Sequence, residues 1–314
     1  MSKNPVVVVD SFTKVYGDGT RIGPITLHVG EGEVYGLVGP NGSGKTTTLR
    51  AILGLLKPSG GKVSVYGLNP YSHPEKVNQK IGYSPEIPNY PPFFTAEKLL
   101  RVTCNMKKII GKDADNEVRR ILDLTGLVNH ADRKIGNFSK GMVQRLSIGQ
   151  ALVGDPPLLI LDEPMLGVDP VGRAHIRDVL LQLRKQGKTI IFSSHELYEV
   201  QRLSDRVAMV YMGKTVFEDM VMNILNNSPE TKVVAELVSE PDGKLAKALE
   251  EISGVLEVAF EANKVVISVD SSLDPREKIA EKIVNLGYGL REFRISQPSL
   301  EEVFINRVKE SVSG

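Results

Sequence analysis

The feature that most constrains the fold is a glycine-rich turn, residues 39–46, between a predicted strand and a predicted helix. The turn has the sequence Gly-Pro-Asn-Gly-Ser-Gly-Lys-Thr. An apolar run at 34–38 precedes it, and apolar residues at helical spacing follow it. The turn matches the pattern G-x-x-x-x-G-K-[ST], in which successive backbone N–H groups point at one anion. The segment therefore predicts a phosphate-binding site in an α/β fold.

Each residue type in the turn has an expected role in binding a nucleotide. Gly39, Gly42 and Gly44 allow the backbone to curl around a phosphate, and the start of the helix adds positive charge. Lys45 is expected to reach the β- and γ-phosphates, and the Thr46 hydroxyl to ligate Mg²⁺. The remaining members of the predicted cradle are Asn41, Ser43 and Thr47. The alternative, a chance glycine turn with a surface lysine, is disfavoured by the flanking strand and helix.

Length and composition exclude several classes of protein. At 314 residues the chain is longer than an average domain, so we expect two domains. Its 39 basic and 38 acidic residues leave a net charge of +1, which argues against a large basic surface for nucleic acid. Cys104 is the single cysteine and residues 1–10 lack the features of a secretion signal, so we expect a reducing, cytoplasmic location. No apolar run approaches the ~20 residues needed to span a bilayer, so a membrane role would require a partner.

The order of predicted elements indicates how the two domains are built. Residues 1–226 are expected to form a P-loop NTPase core, with antiparallel N-terminal strands, a mostly parallel sheet and a helical insertion at about 90–154. Residues 227–314 follow the order βαββαβ, which is typical of a small α+β ferredoxin-like domain. The fold class is therefore α/β, followed by a smaller α+β domain.

Two acidic residues follow a predicted buried strand at 158–161. Asp162 is well placed to hold Mg²⁺, because this ion prefers oxygen ligands. Glu163 lies one residue further and is expected to act as the general base that polarises the attacking water. The alternative is a solvated turn, which the buried strand and the phosphate-binding turn disfavour.

Two further side chains are candidates for contact with the nucleotide. His195 lies just past a predicted strand at 189–192, on a helix that a capping box of Ser193 and Glu196 is expected to open. A lone histidine is usually a surface residue, but a strand beside the phosphate-binding turn favours contact with the γ-phosphate. Tyr16 could either cover an edge of the core or offer a flat face to an adenine ring.

A second anion site is predicted far along the chain from the first. Ser139 and Gly141 lie at the N-terminus of a predicted helix, where backbone N–H groups and the helix dipole favour anions. One chain cannot bring this helix to its own phosphate-binding turn. Asp169 is expected to be the N-cap of a later helix, with Pro170 at its first position.

Over residues 4–220 the chain resembles the ATPase subunit of an ABC transporter. Independent motifs occur in the order typical of that family: a signature motif at 137–142, a Walker B strand at 158–163, a D-loop at 167–169 and an H-loop that ends at His195. Tyr16 occupies the adenine-stacking position. The segment 298–304 resembles the end of the extra C-terminal domain of one branch of these subunits, often described as exporters.

The resemblance implies an activity and partners. Two such subunits, identical or different, would pack head to tail, each closing the ATP of the other with Ser139, Gly141 and the D-loop residue Asp169. ATP and Mg²⁺ would be the ligands, and a separate integral-membrane permease would bind the subunit as a peripheral protein at the cytoplasmic face of the membrane. The permease would determine the transported substrate. No nucleic acid is expected as a partner.

The chain departs from the pattern of the family at four positions. Glu86 stands where the Q-loop has glutamine, and its carboxylate is a candidate ligand for Mg²⁺ beside Thr46 and Asp162. Lys140 and Met142 replace the usual Gly and Gln of the signature motif. Leu166 stands where the D-loop often has a small polar residue.

Two other functions are alternatives to the transport ATPase. The first is a soluble ABC-type ATPase that acts on nucleic acid or ribosomes, but such proteins tend to have a coiled-coil insertion or tandem cassettes, and this chain has neither. The second is a regulatory ATP-binding subunit with low turnover. The presence of both Glu163 and His195 argues against it.

Overall fold

The computed structural model describes residues 5–226, 230–270, 272–296 and 299–313. Within these ranges the chain divides into two compact units, of which the first ends at Met220 and the second begins at Val221. Residue 298, the first of the motif at 298–304, lies outside the described residues.

The first unit combines strands and helices that alternate along most of its length. Its strands are β1 (Pro5–Val15), β2 (Arg21–Gly30), β3 (Val34–Val38), β4 (Gly60–Val65), β5 (Ile81–Ser84), β6 (Leu158–Leu161), β7 (Thr189–Ser194), β8 (Arg206–Tyr211) and β9 (Lys214–Met220). Its α-helices are α1 (Lys45–Ile52), α2 (Pro74–Asn78), α3 (Ala96–Met106), α4 (Gly111–Leu124), α5 (Lys140–Leu152), α6 (Pro170–Lys185) and α7 (Leu197–Leu203).

The central sheet has the strand order β5-β6-β7-β3-β8-β9. The first five strands are parallel, and β9 pairs with β8 in an antiparallel hairpin. Every residue of β3 and β6 is buried, as expected for parallel strands covered on both faces. The order places β7 between β6 and β3, so the chain segments that follow these three strands meet at one edge of the sheet.

A second sheet of the first unit contains the N-terminal strands. Its order is β2-β1-β4 and all its pairs are antiparallel. The mostly parallel sheet and the antiparallel N-terminal strands confirm the predicted fold class of this unit.

The helical insertion consists mainly of α3, α4 and α5. The hydroxyl of Thr95 accepts a hydrogen bond from the Lys98 N–H (3.1 Å), which caps the start of α3. Helices α3 and α4 each have one apolar face, whereas α5 is buried on most of its sides. The three helices bury side chains such as Leu100, Ile121 and Leu146. Helix α5 also begins with a capped turn, at the signature motif.

The second unit is a four-stranded sheet with helices. Its elements are α8 (Val221–Asn226), β10 (Glu230–Leu237), α9 (Gly243–Glu250), β11 (Val255–Glu261), β12 (Lys264–Asp270), α10 (Arg276–Asn285), β13 (Leu290–Ser296) and α11 (Leu300–Ser313). The sheet order is β11-β12-β10-β13 and all pairs are antiparallel. This arrangement, with α9 and α10 as the crossover helices, confirms the predicted ferredoxin-like fold.

Each unit has its own hydrophobic core. In the second unit, alternate residues of β10 and β12, including Val233 and Ile267, pack against Leu245 of α9 and Ile279 of α10. Among the described residues, no helix is both long and apolar enough to cross a membrane.

The capping box predicted for the helix after β7 is wrong. Helix α7 begins at Leu197, so Glu196 is its N-cap residue and His195 precedes the helix. The Glu196 N–H donates to the hydroxyl of Ser194 (2.9 Å), whereas Ser193 extends β7 and points elsewhere. The spacing of Ser193 and Glu196 fits the pattern, but β7 is two residues longer than predicted.

Candidate functional site

The glycine-rich turn connects β3 directly to α1. Gly39, Gly42 and Gly44 all have positive φ values, a backbone conformation that favours glycine. At Gly39 space is limiting as well, since a Cβ there would lie 2.0 Å from the carbonyl oxygen of Val210. The turn is therefore held against β8 in a shape that residues with side chains would not readily adopt.

Lys45, the first residue of α1, bends back over the turn. Its ammonium donates to the carbonyl oxygens of Gly39 (2.7 Å) and Pro40 (3.2 Å) and lies 3.2 Å from Oε1 of Glu163. Lys45 is 5% exposed and Glu163 is 6% exposed. The positive charge predicted for phosphate binding is thus already near the predicted general base.

One buried group of the turn fits a phosphate ligand. The hydroxyl of Ser43 is buried and has no hydrogen-bond partner among the described residues. Buried hydroxyls are normally hydrogen-bonded, so an acceptor supplied by a ligand would satisfy it. With Lys45 and the glycine turn beside it, the donor set suits a nucleotide phosphate.

The two acidic residues follow β6, as predicted, and both are buried. Two hydroxyls donate to the same oxygen of Asp162, Oδ1: that of Ser193 at 2.6 Å and that of Thr46 at 3.3 Å. The Asp162 N–H donates to the carbonyl oxygen of Ser84 at the end of β5 (2.9 Å). Asp162 is therefore tied to α1 and β7 by its carboxylate and to β5 by its backbone N–H.

Glu163 has a different environment from its neighbour. Its Oε2 lies 2.9 Å from Nδ1 of His195, and its Oε1 faces Lys45. Its backbone has a φ of 46°, which is uncommon for a residue other than glycine. The carboxylate is thus held between an imidazole and an ammonium. His195 contacts Glu163 and is not among the described residues that line the cleft beside the turn.

The turn opens into a cleft of about 410 Å³. Tyr16 lies in its lining, and its hydroxyl is hydrogen-bonded to that of Thr47 (3.1 Å). The described residues that line the cleft are Tyr16, Thr20, Ile22, Asn41, Gly42, Gly44, Lys45, Thr46, Thr47, Glu86 and Glu163. Residues predicted to contact phosphate, adenine and metal are thus among those that line one cleft, whereas the predicted residues Gly39, Ser43 and Asp162 are not among its described lining residues.

Of the predicted metal ligands, the structure brings Thr46 and Asp162 into contact and places Glu86 in the cleft lining. Burial raises the pKa of Tyr83, and the charges of Asp162 and Glu86 both add to the rise, which indicates that both acids lie near this tyrosine. Within the described ranges, no three His, Cys, Asp or Glu residues converge to hold a metal ion. A magnesium ion here would share its ligands with phosphate oxygens and water, as is usual for Mg²⁺.

The signature and D-loop residues form a cluster of their own, and none of them is among the described residues that line the cleft. The Ser139 hydroxyl caps α5 by accepting the Met142 N–H (3.3 Å). A Cβ at Gly141 would lie 3.8 Å from the Asp169 carboxylate, so these two predicted residues are neighbours. Asp169 is the N-cap of α6, as predicted, and the bond that it accepts from the Gly172 N–H lowers its pKa.

Three of the four departures from the family pattern lie in this cluster, and one of them is Met142, whose N–H bonds to Ser139. The side chain of Lys140 runs over Gly167. A Cβ at Gly167 would lie only 2.2 Å from Nζ of Lys140. Leu166, the residue before Gly167, is half-buried.

Sequence reasoning missed the part of Ser193 in this site. The signal available was its position: it follows three apolar residues, at 190–192, of a strand whose carboxyl end is expected near the phosphate-binding turn. The capping-box pattern assigned its hydroxyl to the helix instead.

Comparisons with known proteins agree with this geometry. Residues 22–166 match the family described as ABC transporter, and residues 227–308 match the family described as ATP-binding protein DrrA1-3-like, C-terminal domain.

Individual relatives span nearly the whole chain. The bacitracin transport ATP-binding protein BcrA of Bacillus licheniformis is 31% identical over 96% of this chain and 97% of its own length. The linearmycin resistance ATP-binding protein LnrL of Bacillus subtilis strain 168 is 30% identical over 95% of this chain and 96% of its own. Among solved structures, the dimeric ABC transporter cassette MJ0796 is 26% identical, with a TM-score of 0.61 over 68% of this chain and 98% of its own.

Proposed function

Because this chain belongs to the family of ABC transporter ATP-binding proteins, we propose that it hydrolyses ATP to power a separate membrane permease. The observation that supports this most directly is the convergence of Lys45 and His195 on the carboxylate of Glu163, beside the phosphate-binding turn. A protein that only bound nucleotide would not need a buried carboxylate held at this point.

The proposed roles follow from the contacts of each side chain. Lys45 moves from Glu163 to the β- and γ-phosphates, for which its charge is suited. Glu163 then accepts a proton from the attacking water. A carboxylate can only accept a hydrogen bond, so Nδ1 of His195 carries the proton in their contact, and this bond orients the base. Tyr16, which also lines the cleft, stacks on the adenine ring.

Thr46, Asp162 and Glu86 are the proposed holders of Mg²⁺. The bound ion would neutralise negative charge on the phosphates. Thr46 and Asp162 already share a hydrogen bond, and Glu86 faces the same cleft.

We further propose that two subunits pack head to tail. Ser139, Gly141 and Asp169 lie together outside the cleft of their own chain, so an ATP bound by the partner subunit is the ligand that they suit. The existence of a dimeric ABC transporter cassette among the similar structures supports this arrangement. Closure on ATP and release after hydrolysis would drive the permease.

The names of the relatives support an export function. BcrA is a bacitracin transport protein and LnrL a linearmycin resistance protein, and further relatives are Nod factor export proteins. We propose an exporter subunit, bound peripherally at the cytoplasmic face of the membrane.

The test is to replace the proposed base without changing its size. Glu163→Gln should reduce ATP hydrolysis at least about 100-fold, while ATP binding is retained and a dimer forms with ATP, as measured by size-exclusion chromatography. Glu199→Gln is a matched control, because Glu199 is also buried (5% exposed) but pairs with Arg177 instead. The control should hydrolyse ATP near the parental rate.

Hydrolysis at the parental rate by Glu163→Gln would show that Glu163 is not the base. The transport assignment is tested separately, by purifying the chain from native membranes and identifying its partners. Recovery with a membrane permease supports the proposal, and recovery only with ribosomes or DNA would overturn it.

A further inference from the structure

Ser193, the fifth residue of β7, has a hydroxyl that contacts both acidic residues of the site. It is fully buried (0% exposed). The hydroxyl donates to Oδ1 of Asp162 (2.6 Å) and accepts from the backbone N–H of Glu163 (2.8 Å). One oxygen atom therefore bridges the proposed metal ligand and the proposed base.

The directions of these two bonds are determined by chemistry. The N–H of Glu163 can only donate, so the Ser193 oxygen accepts from it. The single hydroxyl hydrogen is then left for Asp162, whose carboxylate accepts it. The second hydroxyl, that of Thr46, donates to the same Oδ1. Both hydroxyls thus donate a hydrogen bond to the same oxygen of Asp162, Oδ1, and neither donates to Oδ2.

The same hydroxyl supports an unusual backbone. Glu163 has a φ of 46°, and such a conformation persists only where neighbouring groups hold it. The bond from its N–H to Ser193 ties the backbone of the base to β7, the strand that also leads to His195. Loss of the hydroxyl would leave a buried N–H without this acceptor and would leave Oδ1 of Asp162 with the longer bond from Thr46. The carboxylate would then be less firmly oriented.

We propose that Ser193 is a positioning residue, which orients the Asp162 carboxylate toward the metal and fixes the backbone that carries Glu163. The proposal rests on the ATPase function proposed above. In this role Ser193 acts through Asp162 and Glu163 and does not contact the substrate. Its removal should therefore slow the chemical step and weaken the response to Mg²⁺ more than it weakens ATP binding.

The test is Ser193→Ala in the full chain, compared with Thr189→Val. Thr189 lies at the other end of β7, is 1% exposed and also has a hydroxyl that accepts a backbone N–H, that of Gly32 (2.8 Å). It therefore controls for the loss of a buried hydrogen bond in the same strand. Four quantities are measured: kcat for ATP, KM for ATP, the Mg²⁺ dependence of ADP affinity, and hydrogen exchange at the Glu163 amide without nucleotide.

For Ser193→Ala we expect kcat to fall about 10- to 100-fold, the range seen when a partner of a metal ligand is removed, with KM changed by less than about threefold. The Mg²⁺ concentration needed for tight ADP binding should rise several-fold, and the Glu163 amide should exchange faster. Thr189→Val should leave kcat within about twofold of the parent. Equal kcat values for the parent and Ser193→Ala, or an unchanged Glu163 amide, would overturn the proposal.

Ser193→Thr and Ser193→Val form a second pair of equal size, in case Ser193→Ala does not fold. Thr keeps the hydroxyl, so it should retain more activity and a more protected Glu163 amide than Val does. Equal behaviour of Thr and Val would overturn the proposal. If the parent chain itself hydrolyses no ATP, the proposed function fails, and the exchange measurement still decides whether Ser193 holds Glu163.

Discussion

At the scale of single residues, Glu86 adds a negative charge to a cleft that is proposed to hold a triphosphate. Among the described residues that line the cleft, Glu86 and Glu163 are acidic and Lys45 is basic. Without a metal ion the extra carboxylate repels the phosphates, and with Mg²⁺ it is attracted to the ion. Glu86→Gln should therefore strengthen ATP binding without Mg²⁺ and reduce the gain in affinity that Mg²⁺ provides, by about tenfold.

The measurement is a titration of ATP affinity against Mg²⁺ for both proteins. Glu31→Gln makes the same charge change at an exposed residue outside the cleft lining, so it should follow the parental curve. Superimposable curves for Glu86→Gln and the parent would leave Glu86 without a role at the metal.

At the scale of elements, the start of α9 in the second unit depends on Asp242. Its carboxylate accepts from the N–H groups of Lys244 (2.9 Å) and Leu245 (3.0 Å) and from the hydroxyl of Tyr288 (2.6 Å). These bonds, the one from Tyr288 foremost, lower the pKa of Asp242 below its ordinary value of 3.8. Asp242→Ala should reduce hydrogen-exchange protection in the first turn of α9 about fivefold at pH 7.

The sign of the pH dependence follows from this lowered pKa. A carboxyl group with a lower pKa in the folded state stabilises that state above its unfolded pKa, and the effect is lost as the pH falls through the folded value. The protection of α9 in the parent should therefore fall toward that of Asp242→Ala as the pH is lowered below the ordinary value of 3.8. Asp242→Asn keeps a capping oxygen and should show a smaller loss at pH 7. Equal protection in the parent and Asp242→Ala at pH 7 would contradict the capping role.

At the scale of the whole molecule, the two units each contain a core, so the first should fold without the second. A chain cut at the boundary predicted from sequence, residue 226, would keep α8. This helix belongs to the second unit, where it contacts α11. Chains that end at residue 220 and at residue 226 should both remain folded and bind ATP within about threefold of the full chain. The measurements are circular dichroism and ATP titration. Insolubility of both shortened chains would show that the units share a core.

Much of the site is encoded by short segments, which is why the sequence alone could predict it. The turn at 39–46 is a local pattern whose glycines, lysine and threonine act within one strand–turn–helix unit. Asp162 and Glu163 were predicted from a short buried strand, and the βαββαβ order from the alternation of strands and helices. The observed strand orders confirm the α/β fold class and the ferredoxin-like second unit. Sequence could predict both, because periodicity along the chain determines which face of each element is buried.

Only the tertiary structure decided which of these segments become neighbours. The order β6-β7-β3 in the central sheet brings Ser193 to Asp162, 31 residues away in the sequence, and His195 to Glu163, 32 residues away. Both side chains thus lie between the two segments that were predicted independently. Local spacing assigned Ser193 to a helix cap, whereas packing gave its hydroxyl to Asp162. Hydrogen-bond partners across a sheet depend on strand order and on where each strand ends, and neither is contained in the periodicity of a single segment.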